Sequence, residues 1–270
     1  LEEAIIGHPQ TDIYLNFLRG MGEETPLRIQ LVDLETRRNV RVGHCPGTTV
    51  DMLTEGALAL TQSEHQALQE QAKKLLQVLQ GTTKVHLTAP GGTDIELDVA
   101  GRTWYSDTFV DWTAPKLKWM NLPTGEVLIA PNEFGANGTL VCDLAMGGWK
   151  GQVPAPITLT FEKGQVVTVT CEHSAARQYV EKAIAMDEWS KHVGEFAFGL
   201  NEKARIHDEF VETEKLKTVH IAVGNNLDYP GESHNASRTH LDFLVQQASV
   251  TAYYTDGHST QIIKDGIYLF

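Results

Sequence analysis

The spacing of apolar residues changes near Gly81. Before it, Leu68, Leu75, Leu76 and Leu79 recur on one face of a helix that a Ser63-x-x-Gln66 capping box opens and Gly81 stops. Farther upstream, Pro9-Gln10-Thr11-Asp12 predicts a short amphipathic helix ending near Gly20 or Gly22, and Leu27 to Val32 alternates like a strand. Thr48-Thr49-x-Asp51 resembles a capping box ahead of an apolar segment through Leu60. After Gly81 the period drops to two. Val85 to Thr88 and Ile95 to Val99 flank Pro90-Gly91-Gly92 as a hairpin, and Ile157 to Phe161 and Gln165 to Thr170 flank Lys163-Gly164. Asn137-Gly138, between Val127 to Ala130 and Thr139 to Asp143, predicts another turn. Ser174 to Ala185 is helical, with Ala176, Tyr179, Val180 and Ile184 on one side. Strands resume at Glu195 to Phe198, Val219 to Val223 and Ala248 to Tyr254, and Asp256-Gly257 and Asp265-Gly266 turn the later ones. Turns this short require antiparallel pairing. The expected class is α+β: a small α/β amino-terminal part, residues 1–81, then a β-rich, mainly antiparallel metal-site domain, residues 82–270.

The charge narrows the partners. A formal net charge of −13 excludes nucleic acid, which needs a basic face, and suits cations or a peptide's protonated amine as well as simple solubility. Three cysteines, Cys45, Cys142 and Cys171, form no CxxC and cannot all pair within one chain, which points to a reducing, cytoplasmic setting. No apolar run approaches the roughly 18 residues of a membrane span, and no signal peptide is visible.

The residues that carry chemistry cluster late in the chain. Thr218-Val219-His220-Ile221-Ala222-Val223-Gly224 places a histidine in a β-prone run, and Arg238-Thr239-His240-Leu241-Asp242 follows. In extended backbone His240 and Asp242 project to one face and can share a cation; imidazole with carboxylate suits zinc, iron, cobalt or manganese. Glu126 stands between a Pro/Thr/Gly turn and an apolar strand, and Glu195 opens Glu195-Phe196-Ala197-Phe198. Burying either carboxylate is costly unless something neutralises it, and a metal would do so.

In order, these segments resemble the thermophilic-type metallo-aminopeptidases. The resemblance runs through Leu122-Pro123-x-Gly125-Glu126-Val127-x-x-Ala130-Pro131, Asn137-Gly138 and Gly194-Glu195-x-x-x-Gly199-x-Asn201. It continues through Glu214-Lys215-x-x-Thr218-Val219-His220, His240-x-Asp242 and a late Asp-Gly turn, covering about Val85 to Phe270. It implies a cytoplasmic enzyme that hydrolyses amino-terminal residues from peptides. Its ligands would be Glu126, Glu195, His220, His240 and Asp242, holding two divalent cations such as zinc, cobalt or manganese. Catalytic roles would fall on Glu126 and Glu195, and on Tyr229 as a donor to the developing oxyanion. Relative to the family's longer chains the shortfall is amino-terminal, in the part that helps close the cavity and organise a dimer. A homodimer is therefore expected, with contact surfaces on Ile13 to Leu18 or the apolar face of Ser63 to Gln80, unless those are core.

Relatives of the fold also include mononuclear iron(II) dioxygenases that cleave hydroxypyridine rings, for which His220, His240 and Asp242 would supply the triad. A non-catalytic metal-binding protein is the third reading. Among other polar residues, His234 and Arg238 can contact a substrate carboxylate or face water, and Glu214 can orient His220. His173, His192 and His207 read as packing, solvated or outer residues.

Overall fold

Alternation decides most of this architecture, and a computed structural model shows it for residues 13–37, 41–109 and 118–270. The chain runs through β1 (Ile13–Leu18), α1 (Thr25–Thr36), β2 (Arg41–Pro46), α2 (Val50–Thr54) and α3 (Gln62–Leu79). Next come β3 (Thr82–Thr88), β4 (Asp94–Asp98), β5 (Tyr105–Ser106), β6 (Trp119–Asn121) and β7 (Glu126–Ile129). β8 (Ala136–Cys142), β9 (Ile157–Glu162) and β10 (Gln165–Thr170) follow, then α4 (Ser174–Ile184) and β11 (Val193–Gly199). After α5 (Phe210–Glu214) come β12 (Val219–Gly224), β13 (His240–Val245), β14 (Ser249–Tyr254), β15 (Ser259–Lys264) and β16 (Ile267–Tyr268).

The strands form three sheets: β1-β2-β6, β10-β9-β8-β4-β3-β14-β15-β16 and β13-β12-β11-β7-β5. The two larger sheets are antiparallel throughout, whereas β1, β2 and β6 pair in parallel. The fold is α+β. One hydrophobic core joins the two large sheets and α3. Val85, Leu87, Leu97 and Leu159 come from the eight-stranded sheet, Val127, Phe196, Phe198, Ile221 and Phe243 from the five-stranded sheet, and Leu68, Leu75 and Leu79 from α3. Each large side chain buried this way contributes about 1.5–3 kcal/mol.

Several local expectations are corrected. Ile13–Leu18 is a strand rather than a helix: exposed Ile13, Leu15 and Phe17 alternate with half-buried neighbours, and the segment pairs with Arg41–Pro46. The Pro9 to Asp12 helix start lies outside the described residues. Leu27 to Val32 belongs to a helix, since Thr25, Val32 and Glu35 are buried at helical spacing and Pro26 sits in its first turn. The capping box of α3 begins two residues earlier than expected, with Thr61 and Glu64 as the reciprocal pair. Thr49 caps α2 without a side-chain bond to the helix backbone; its hydroxyl instead meets the Asp51 carboxylate at 2.5 Å. Asn137-Gly138 is no turn but lies within β8, paired with Ile95 and Glu96. Gly138 has φ +127°, and a Cβ there would stand 2.3 Å from the Asp94 carbonyl oxygen, so glycine permits the close strand approach. The apolar face of α3 is core rather than a contact surface.

Candidate metal centre

The face of the five-stranded sheet turned away from the core carries the polar residues. In β12, Val219, Ile221 and Val223 enter the core, so His220 points to the other side; in β13, Leu241, Phe243 and Val245 do the same for His240 and Asp242. Val127 and Ile129 of β7 leave Glu126 on that face. β11 would break the pattern, because Val193 is core and Glu195 two residues later should match it. A register shift between Val193 and Glu195 reverses the parity and turns Glu195 toward the site. Gly194 allows this, since a Cβ there would lie 2.7 Å from the Gly224 carbonyl oxygen. Small Ala197 and Ala222 sit opposite His220 and Asp242 in the ladder and leave room above the sheet.

All five residues expected as ligands meet. His220 Nε2 lies 3.4 Å from Glu195 Oε1 and 3.8 Å from Glu126 Oε1. His240 Nε2 lies 3.1 Å from Glu195 Oε2 and 3.2 Å from Asp242 Oδ1. Each Glu195 oxygen thus faces a different histidine. His240 Nδ1 donates to the Asn225 carbonyl at 2.8 Å, a tautomer that leaves Nε2 free for a cation. The Tyr229 hydroxyl donates to Glu195 Oε2 at 2.5 Å. Glu214 joins the cluster, its carboxylate within 4.8 Å of ligand atoms of His220 and Asp242.

Three more residues escaped the sequence reading. Lys215, fully buried, pairs with Glu126, with Glu214 at 3.1 Å and with Asp107 at 3.8 Å. Asp107 Oδ1 accepts the backbone N–H groups of Gly125 at 3.0 Å and Glu126 at 2.6 Å, fixing the entry to β7. Tyr105 packs edge-on against Tyr229, with ring centroids 5.5 Å apart. Lys215 lies inside a quoted motif; no spacing marks Asp107 or Tyr105. Asn201 ties the loop before Glu126 by donating to the carbonyls of Ala57 and Thr124, both at 3.0 Å.

The chemistry of this set fits a divalent cation. His220 is wholly buried, yet neither ring nitrogen has a hydrogen-bond partner among the described residues. Without a cation, protons answer the carboxylates. Burial opposes charge on His220, but Glu195 and Glu126 push it up to about 9; His240 is raised well above the usual imidazole value against the same burial penalty, by Asp242 and Glu195. Burial pushes the Glu126 carboxyl up despite Lys215, whereas the two imidazoles outweigh burial and hold Glu195 low. A bound cation would displace those protons.

The site forms the floor of a cavity of about 520 Å³ that is also lined by Arg28, His44 and Trp119 from the amino-terminal part. His234 and Arg238 are not among the lining residues: His234 is held by Glu133, and Arg238 meets Asp187 and Met186. His173 caps α4, accepting from Ala176, and His192 packs on Trp189. No helix among the described residues is long and apolar enough to cross a membrane.

A strand-borne cluster of two histidines and several carboxylates could hold a metal ion. The family model described as thermophilic metalloprotease (M29) matches residues 59–268, and the chain belongs to that family. It is similar to aminopeptidase AmpS of Bacillus subtilis (strain 168), 24% identical over 169 residues that cover 56% of this chain and 40% of the relative. It is also similar to aminopeptidase 2 of Geobacillus stearothermophilus, 25% identical over 204 residues covering 67% and 48%. The matched part therefore spans less than half of either relative. Wild-type AmpT from Thermus thermophilus shares the fold with a TM-score of 0.64 and 18% identity, over 91% of this chain and 80% of that one. The 2,5-dihydroxypyridine dioxygenase from Pseudomonas putida KT2440 shares it with a TM-score of 0.70 and 18% identity, over 99% and 74%.

Proposed function

We propose that this chain is a metal-dependent aminopeptidase whose ligands are Glu126, Glu195, His220, His240 and Asp242. The observation that carries the reading is the orphaned, fully buried His220 facing Glu126 and Glu195 beside the His240–Asp242 pair. Two divalent cations, zinc, cobalt or manganese, would polarise a scissile carbonyl and lower the pKa of a bound water. Glu195, with one oxygen toward each histidine, is the candidate bridging carboxylate. Tyr229 keeps its proton because burial and Glu195 raise its pKa, so it can donate to a developing oxyanion. Remaining carboxylate charge over the floor suits a peptide's protonated amine.

The test is metal analysis of purified protein alongside hydrolysis of aminoacyl anilides before and after chelation. Two equivalents of metal and chelator-sensitive hydrolysis are expected; a metal-replete protein without hydrolysis would overturn the reading. A second reading, a mononuclear iron(II) ring-cleaving dioxygenase, draws on Lys215: its ammonium already neutralises Glu126, leaving His220, His240 and Asp242 as a two-histidine, one-carboxylate set. One equivalent of iron would favour it. Three free cysteines support a reducing, cytoplasmic setting. Exposed Ile13, Leu15 and Phe17 on the edge strand β1 support a homodimer, which sedimentation at micromolar concentration checks; a strict monomer contradicts it.

A further inference from the structure

The wall of the cavity built by the amino-terminal part carries a guanidinium and two ring N–H groups over the acidic floor. Arg28 on α1 donates from Nη2 to Thr25 Oγ1, at 3.2 Å, while its Nε is shut off from solvent and has no hydrogen-bond partner among the described residues. Among the described residues no carboxylate comes within ion-pair distance of it. Its nearest charges include Glu24 and, across the cavity, Asp242 and Glu214. His44 on β2 is buried with Nδ1 unpartnered, and Trp119 opening β6 has a buried, unpartnered Nε1–H. The two rings meet edge to face, centroids 6.0 Å apart. Burial and the neighbouring Arg28 push His44 down to about 3, so its imidazole is neutral and able to donate from Nδ1 in that tautomer.

A guanidinium lining a cavity with no carboxylate partner among the described residues, beside two unused ring N–H positions, is a set of donors short of an acceptor. All three residues line the same cavity as Glu126, Glu195, His240 and Asp242. The cavity thus has an acidic floor and an amino-terminal wall on which Arg28 stands with Glu23, His44 and Trp119. Its volume of about 520 Å³ is that of a small-molecule site. We propose that Arg28, with His44 and Trp119, binds the free carboxylate of a very short peptide whose amino end lies over the floor, making zwitterionic dipeptides the preferred substrates. The inference rests on the aminopeptidase reading for its peptide and on the cavity alone for its carboxylate.

The experiment compares a hydrolysis-resistant reduced-amide dileucine analogue with its terminal carboxamide, by calorimetry on the metal-containing protein and on Arg28→Gln and Arg28→Lys. In the unmodified protein the carboxylate should bind roughly tenfold or more tightly than the carboxamide, the difference between charged and neutral hydrogen bonding. Arg28→Gln should bring that ratio to about one and Arg28→Lys, which keeps the charge without the fork, should restore part of it. Thermal melts confirm that both variants fold. No preference in the unmodified protein, or an undiminished preference in Arg28→Gln, overturns the subsite. Hydrolysis of dileucine and dileucinamide separates the two readings. Equal, Arg28-independent turnover removes the subsite and keeps the peptidase, whereas Arg28-dependent carboxylate binding with no turnover keeps the subsite and removes the peptidase.

Discussion

Two clusters in this molecule are built from the same residue types and have opposite electrostatics. In one, Asp51, His207 and Glu212 gather around Arg205, whose Nε meets Glu212 at 2.8 Å and whose Nη2 meets Asp51 at 2.8 Å. Both nitrogens of His207 are engaged there, Nδ1 accepting from the Glu209 N–H at 2.9 Å and Nε2 lying 3.2 Å from Asp51. In the other, Lys215 reaches Glu126, Glu214 and Asp107 along one edge, while Glu195 and Asp242 face imidazoles, with the Tyr229 hydroxyl also on Glu195. His220 at its centre has no hydrogen bond to either ring nitrogen among the described residues; its Nε2 only faces Glu195 at 3.4 Å and Glu126 at 3.8 Å. A histidine–carboxylate cluster is therefore a candidate metal centre where some of its carboxylates meet no cation of the chain, as Glu195 and Asp242 do among the described residues.

The largest effects should come from the cluster in which Glu195 and Asp242 meet no lysine or arginine among the described residues. His220→Ala, His240→Ala and Asp242→Ala should each abolish metal uptake and metal-dependent activity, beyond the roughly 10–100-fold that losing an outer partner costs. Circular dichroism should show the fold retained; full metal occupancy in any of the three would refute that ligand. Lys215→Met removes the ammonium from three buried carboxylates and should destabilise the chelated protein by about 3–5 kcal/mol in urea titrations. Added divalent metal should recover part of the loss by binding the folded state. Unchanged stability would mean that Lys215 contributes no net compensation. Arg205→Met should cost less, because the guanidinium is 39% exposed although Glu212 is wholly buried. Metal content should not change, and a fall would dissolve the distinction between the clusters.

Much of the centre was legible because period-two alternation fixes which way a strand residue faces. His220 and Asp242 sit between apolar residues that the core claims, and Glu126 and His240 each precede one, so their direction follows from parity. Glu195 has that parity against Phe196 and Phe198 but not against Val193, because the register shift beside Gly194 reverses it. Lys215 was written in a motif, but a lysine is ordinarily solvated, and its burial is caused by acids contributed from residues 107, 126 and 214. Arg28, His44 and Trp119 come from a helix and two strands that meet only in three dimensions, so no spacing announces them. The amino-terminal part was misread for a related reason. Its elements are short, and Leu27, Ile29 and Leu31 alternate by sequence while burial at Thr25, Val32 and Glu35 follows the helical period.

The smallest expected effect is the sharpest control. His207→Ala removes an imidazole of the same kind as His220, within a group that could by geometry hold an ion. What it loses is one contact to Asp51, whose side chain is 47% exposed, and one accepted backbone N–H. Exposed pairs of this sort contribute about 0.2–1 kcal/mol. Arg205 and the Thr49 hydroxyl stay in place to hold Asp51, whose pKa is lowered to about 2, first by that hydroxyl and then by the guanidinium. The midpoint of unfolding should therefore move little, and metal per chain should equal that of the unmodified protein while His220→Ala loses it. If His207→Ala instead sheds an equivalent of metal, Arg205 does not satisfy its cluster. Carboxylates left without a cation of the chain would then no longer distinguish the candidate centre on the five-stranded sheet.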